Sequence, residues 1–371
     1  MDEVDEVDEI DEVDEVSLLS MKALTFHRPF DIRCETVPEP TLLAPTDALV
    51  QITAAGLCGS DLHAYRGLEG GLDAGTVCGH ELVGEIVAVG REVVGFGVGD
   101  RVVAPFTTNC GECWYCRRGW TCRCVRGNLL GWVQDGVGLH GAQAELIRVP
   151  LAGATLYPLP ESLPEDVALF LGDVLPTGFH AAESAGVEPG TVVAVVGCGP
   201  IGLSAVLSAI ELGAERVFAV DAVPERLALA ERWGATALNL TTCDAGEHLR
   251  DATDGRGADA VIEAVGSHDA TRLAFDLVRP VGTIAAAGVH TEAHLAFSPG
   301  EAYDKNLTYR AGRCPARAVL PRVLPLAERR AGELGELISH RLPLEAGAHA
   351  YEIFDRKLEG CTKVVFHPRR S

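Results

Sequence analysis

Five cysteines, Cys110, Cys113, Cys116, Cys122 and Cys124, crowd into fifteen residues, and four of them follow C-x2-C-x2-C-x7-C. Thiolates at such short spacings, in a chain with no secretory features, read as metal ligands rather than disulfide partners. Cys110, Cys113, Cys116 and Cys124 would close tetrahedrally on one Zn²⁺ with no open position, the chemistry of a structural site. Cys122 is left over. An iron–sulfur cluster is the other reading, but the spacing differs from ferredoxin runs. A second set is scattered: Cys58 in G-L-C-G-S-D-L-H, His80 and Glu81 in G-H-E-L-V-G, and Asp173 in L-G-D-V-L-P-T-G. A thiolate, an imidazole and a carboxylate together form a three-ligand zinc site that keeps its fourth position for water or substrate. By spacing alone the third ligand is Asp173, Glu81 or Glu85.

Gly197, Gly199 and Gly202 form G-C-G-P-I-G directly after the apolar run VVAVV and at the head of an apolar helix. The first glycine permits the tight turn, the second lets the backbone approach a pyrophosphate, and the third allows helix and strand to pack closely. The helix N-terminus favours the negative charge. Asp221 ends the next apolar run, 19 residues after Gly202. A carboxylate there suits both ribose hydroxyls of NAD and repels the 2′-phosphate of NADP. Arg226 either touches the adenine side or is a solvated helix residue.

These groups need elements to hold them. From Met21 to about Pro160 the chain is rich in Gly, Val and Pro, with short apolar runs such as ALVQITAAG, ELVGEIVAVG and DRVVAPF. They predict strands of an irregular, mostly antiparallel β domain. From about Pro164 to Leu307, apolar strands alternate with helical stretches, which predicts a parallel sheet covered on both faces. The remainder reads as helix, strand, helix and final strand, returning to the first domain. The expected division is residues 21–172 with 308–371 as one unit and 173–307 as the dinucleotide unit.

The chain has 371 residues and 47% hydrophobic composition, enough for two domains with a substantial core. It lacks an apolar run of membrane-spanning length. It also lacks a basic start followed by an apolar stretch, so the expected compartment is the cytoplasm. The net charge of −22 is partly local, because Asp2–Val16 repeats an acidic three-residue unit; without it 43 acids face 31 bases. A period of three fits neither a helix face nor a strand face. Residues 1–20 therefore read as a disordered acidic tail, with Met21, at the head of MKALTF, a candidate natural start. The acidity argues against nucleic-acid binding.

Taken in order, C-G-S-D-L-H, G-H-E-x-x-G-x-x-x-x-V-G, the four-cysteine lobe and G-x-G-x-x-G resemble the zinc-containing medium-chain alcohol dehydrogenase family, over Met21 to Pro368. The resemblance implies an α/β chain with a GroES-like β catalytic domain and a Rossmann domain, two zincs and NAD. It places Cys58, His80 and Asp173 on the catalytic zinc. It makes Ser60 the hydroxyl that takes the alcohol proton and His63 the relay to solvent, with Asp61 orienting His80. It brings Glu81 near the zinc during ligand exchange and Thr177 near the nicotinamide. Lys363 either reaches the pyrophosphate or is a solvated lysine. Asp173 followed by V-L-P-T-G-F-H looks like the glutathione-independent formaldehyde dehydrogenase branch and its alcohol dehydrogenase neighbours, implying small alcohols or aldehydes. Polyols and other secondary alcohols are the alternative substrates, and a non-catalytic dinucleotide-binding redox sensor the alternative class. Relatives of this kind assemble as dimers or tetramers.

Overall fold

The computed structural model describes residues 19–368; the acidic run Asp2–Val16 lies outside them. The first strand starts at Ser20, so the expected tail boundary at residue 20 falls inside it. Among the described residues no helix is long and apolar enough to cross a membrane.

The β region is organised around the strand Ala48–Leu57. Its alternating ALVQIT half turns every second side chain inward, and the chain from Ala54 to Leu57 is buried throughout. It pairs antiparallel with Leu82–Val89, with Leu146–Val149 and with the last strand of the protein, Val364–Phe366. The register places Ala55 opposite Leu82 and Leu57 opposite Val364. Consequently Cys58, the His80–Glu81 pair and Lys363 all emerge at one end of three neighbouring strands. Arg101–Ala104, Tyr157–Pro158 and His340–Leu342 complete this seven-stranded sheet. Ser20–Arg28, Asp31–Pro38 and Thr76–Val77 form a separate three-stranded sheet beside it. The return of the C-terminal strand agrees with the sequence expectation. The first helix of the expected helix, strand, helix, strand series is two helices, Ala316–Arg329 and Ala331–Glu336, and the second is Gly347–Arg356.

The second region is a six-stranded sheet, parallel throughout. In sequence its strands are Val192–Val196, Arg216–Asp221, Thr236–Asn239, Ala258–Glu263, Val278–Ala286 and Thr308–Ala311; in space they run third, second, first, fourth, fifth, sixth. This is the doubly wound Rossmann order, and its crevice opens where the order reverses, at the ends of Val192–Val196 and Ala258–Glu263. All five residues of Val192–Val196 are buried, as expected for a central strand covered by helices on both faces. The sheet includes Thr308–Ala311, four residues past the expected boundary at 307. That edge strand is mostly exposed and lacks the apolar run that marks its neighbours.

Candidate active site

Cys58, His80, Glu81 and Asp173 are buried, and each offers a ligand atom within 4.8 Å of the others. Cys58 Sγ and His80 Nε2 each lie 3.4 Å from Asp173 Oδ2. Donors held tetrahedrally at ordinary zinc bond lengths are about 3.3–3.8 Å apart, so these separations fit one zinc ion. The protonation tendencies agree. Burial pushes the Cys58 thiol up, reinforced by Asp173. Burial also favours a neutral His80, yet Asp61, Asp173 and Cys58 hold its pKa well above the ordinary imidazole value. The Asp173 carboxyl is raised by burial but held below the usual range by His80, Lys363 and Thr177. A buried set that crowds negative charge around one proton is a donor set suited to a cation. Glu85, the other third-ligand option in the sequence, is exposed on Leu82–Val89 and stands outside the cluster.

Neighbouring groups fix the three donors. Asp61 Oδ1 faces His80 Nδ1 at 3.1 Å, while its Oδ2 accepts from the Cys58 backbone N–H at 2.9 Å. One carboxylate therefore orients both the imidazole and the cysteine turn. The Thr177 hydroxyl donates to Asp173 Oδ1 at 3.0 Å. Ser60 Oγ is 3.4 Å from His80 Nε2. His63 sits on the short helix Asp61–Tyr65 and lines the same cleft; its Nδ1 is buried and has no partner among the described residues.

Glu81 and Lys363 are fully buried, and the lysine donates to both carboxylate oxygens at 2.7 and 2.6 Å. Neither sequence reading of Lys363 survives: it is not solvated, and its ammonium is committed to Glu81 instead of a pyrophosphate. Burial disfavours the charged ammonium, but Glu81 more than offsets this and keeps the lysine pKa raised. The pair lies over Gly56, where an added Cβ would stand 2.0 Å from Glu81 Oε2. Gly56 was not singled out from the sequence; its only signal there is a side-chain-free residue two positions before Cys58.

The four cysteines Cys110, Cys113, Cys116 and Cys124 form the second cluster, likewise within 4.8 Å of one another. Cys110 and Cys116 are 4.0 Å apart at sulfur, near the separation two thiolates take on one zinc. Backbone N–H groups point at the sulfurs, from Cys113 to Cys110 at 3.4 Å and from Cys110 to Cys124 at 3.2 Å. Burial raises the Cys110 thiol, but backbone donors and Arg126 outweigh it and bring it down to about 6. Cys122 turns away and donates to the Arg313 carbonyl at 3.2 Å.

The cleft that begins at the first cluster has a volume of about 1350 Å³ and extends to the glycine turn. Gly197 has φ +89°, which only glycine adopts without strain. A Cβ on Gly202 would lie 1.8 Å from the Gly197 carbonyl oxygen, whereas Gly199 faces open space save for Arg226 Nη1 at 3.8 Å. Gly199 caps the helix Pro200–Glu211, and Gly199, Pro200 and Ile201 line the cleft, so this helix start lies at the cleft end. Asp221 also lines the cleft. Its Oδ2 accepts from Cys198 N at 2.6 Å and its Oδ1 from Ala222 N and Val223 N, so its charge is fixed beside the turn. Arg226 lines the cleft with a buried, unpartnered Nε. Bare backbone, a fixed carboxylate and orphaned donors fit a dinucleotide.

Residues 44–161 match the alcohol dehydrogenase GroES-like domain, and residues 200–329 match the zinc-binding dehydrogenase domain. This chain belongs to the zinc-type medium-chain alcohol dehydrogenase family. It is similar to zinc-type alcohol dehydrogenase B of Aspergillus flavus, 41% identical over 90% of this chain and 79% of that protein. Among solved structures it is similar to an alcohol dehydrogenase from Thermus sp. ATN1, with a TM-score of 0.87, 38% identity, and 94% and 100% of the two chains covered. The zinc-dependent alcohol dehydrogenase 2 of Streptococcus pneumonia gives a TM-score of 0.86 and 33% identity over 95% and 99%. The GroES-like and Rossmann architecture expected from the sequence is thereby shown, and the chain is an oxidoreductase of the alcohol dehydrogenase kind.

In this alcohol dehydrogenase, removing one partner of the Glu81–Lys363 pair strands a buried charge. Lys363→Met is expected to destabilise the protein by about 3–5 kcal/mol, and Glu81→Gln added to it to recover much of that loss. Denaturant titration of both single variants and the double variant checks this; additive losses would mean that the two charges do not depend on each other.

Proposed function

We propose that this chain reversibly oxidises a small alcohol to an aldehyde or ketone, with NAD as hydride acceptor and a catalytic zinc on Cys58, His80 and Asp173. The carrying observation is a buried thiol–imidazole–carboxylate set at one end of a cleft whose other end is the glycine turn. A second, structural zinc would be held by Cys110, Cys113, Cys116 and Cys124. Residues 21–172 with the C-terminal segment are read as the catalytic unit. Formaldehyde hydrate and polyols are further substrate classes for the same site.

When bound, zinc supplies a Lewis acid that lowers the pKa of the alcohol, and the nicotinamide supplies the acceptor for the carbon-bound hydride. The chain moves the remaining proton. Ser60, beside His80, takes it from the alcohol hydroxyl. His63 accepts it with its neutral ring and releases it to solvent. Burial lowers the His63 pKa below the usual imidazole value, so the ring is neutral and able to accept at pH 7. Thr177 and Asp61 hold Asp173 and His80 in place while this happens. Asp221, committed beside the turn, selects a ribose with free hydroxyls over one bearing a 2′-phosphate.

Three outcomes test this reading. Metal analysis of the purified protein should find two zincs per chain, falling to one in Cys58→Ala or Asp173→Ala with loss of alcohol-dependent NAD reduction; full turnover in either variant would sink the ligand assignment. The pH profile of kcat should rise through a limb centred below the ordinary histidine value of about 6.5. That limb should disappear in His63→Gln; an unaltered profile would remove His63 from the proton path. Asp221→Ser should shift the NAD/NADP ratio of kcat/KM toward NADP by roughly tenfold or more, and an unchanged ratio would refute the ribose assignment.

A further inference from the structure

We propose that Arg123 and Arg313 form an anion subsite at the cysteine-lobe side of the cleft, so that the alcohol taken here carries a carboxylate or phosphate remote from its hydroxyl. This rests on the dehydrogenase reading and adds the substrate class to it.

Both arginines are exposed and line the cleft that contains the Cys58, His80 and Asp173 cluster. Among the described residues neither has a carboxylate at ion-pair distance, in a chain whose 53 acidic residues outnumber its 31 lysines and arginines. Arg232 holds Glu336, Arg279 holds Asp259, Arg322 holds Glu183 and Arg341 holds Asp166, whereas among the described residues, of the arginines lining the cleft Arg66 alone is paired, with Asp355. Arg123 and Arg313 are thus two cations at the cleft with no carboxylate of their own.

Their backbone is anchored. Cys122 is buried, and its thiol donates to the Arg313 carbonyl. Arg123 is its sequence neighbour, and the Arg123 and Arg313 charges both act on that thiol against its burial. The two cations thus both lie near one fixed point, on chain segments far apart in sequence. Arg310, which also lines the cleft, is held by the Ser184 carbonyl at 3.1 Å.

The same cleft is lined by Phe106, Leu129 and the rings of Trp120 and Trp132. Apolar side chains and cations in one cleft match an alkyl chain that ends in an anion. Of the carboxylates of the cleft, Asp61 and Asp173 hold the cluster, Asp221 holds the glycine turn and Asp355 pairs with Arg66, while Glu69 and Asp269 also line it and neither pairs with Arg123 or Arg313. Cofactor phosphates are met at the Pro200 helix start, so they do not account for Arg123 or Arg313.

The test compares matched substrates: butanol against γ-hydroxybutyrate for the carboxylate, and glycerol against glycerol phosphate for the phosphate. In the native protein, kcat/KM for one anionic member is expected to exceed its neutral partner by roughly ten- to a hundredfold at low salt, shrinking at high salt. The pair with the larger ratio names the anion. Arg123→Glu with Arg313→Glu is expected to reverse the ratio and raise turnover of aminobutanol above butanol, a gain that a misfolded variant cannot show. Neutral and anionic members used equally well by the native protein, or a ratio unmoved in the double variant, would overturn the subsite. A protein that oxidises none of these alcohols fails the dehydrogenase reading instead. Calorimetric titration with γ-hydroxybutyrate then decides the subsite by itself: binding lost in the double variant upholds it, and equal binding or none in the native protein overturns it.

Discussion

Burying the Glu81–Lys363 ion pair is the constraint on which the catalytic end of the molecule depends. Two charges at zero exposure are tolerable only while each fully satisfies the other. That fixes the register of Leu82–Val89 and Val364–Phe366 on either side of Ala48–Leu57, and it demands a residue without a side chain at position 56. Once that register is set, Cys58 and His80 have no freedom to be anywhere else. A one-residue slip in either pairing would turn every side chain of that strand to the opposite face, and the donors would part.

The two cysteine-bearing regions solve different problems. The Cys110–Cys124 lobe is built from turns and single turns of 3₁₀ helix, and its large apolar side chains, Trp114, Tyr115 and Trp120, are exposed rather than packed into a core. Its backbone N–H groups are aimed at sulfur, so it acquires order from whatever the four thiols hold. The Cys58 cluster is the reverse: it sits at the ends of core strands, rigid before any ligand arrives. The lobe nevertheless reaches the working cleft, because the bond from Cys122 to Arg313 couples it to the segment leaving the parallel sheet.

Local features were legible in the sequence. The four cysteines carry their geometry in their spacing, and the glycine turn carries its own in the three backbone demands that Gly197, Gly199 and Gly202 each meet. The alternation of apolar strands and helices showed the Rossmann layers for the same reason: each element announces its own period. What failed was non-local. Lys363 lies 282 residues from Glu81, and a lysine before a short apolar run looks like a solvated one. The choice of Asp173 over Glu85 depends on which face of a strand is covered, and only the resemblance supplied it. The strand Thr308–Ala311 was missed because an exposed edge strand needs no apolar pattern.

The place of Val364–Phe366 has a bearing on how the protein is made. This strand is made after the whole parallel sheet, yet it lies directly against Leu57, which is made before it. Until it arrives, Glu81 has no counter-charge and the sheet keeps an open edge beside Cys58. The cysteine lobe and the parallel sheet, whose contacts are closer in sequence, are complete well before that moment. A chain interrupted before Lys363 would therefore keep its parallel sheet but leave Glu81 unpaired beside Cys58 and His80, so that this cluster settles only after the rest of the fold has been made.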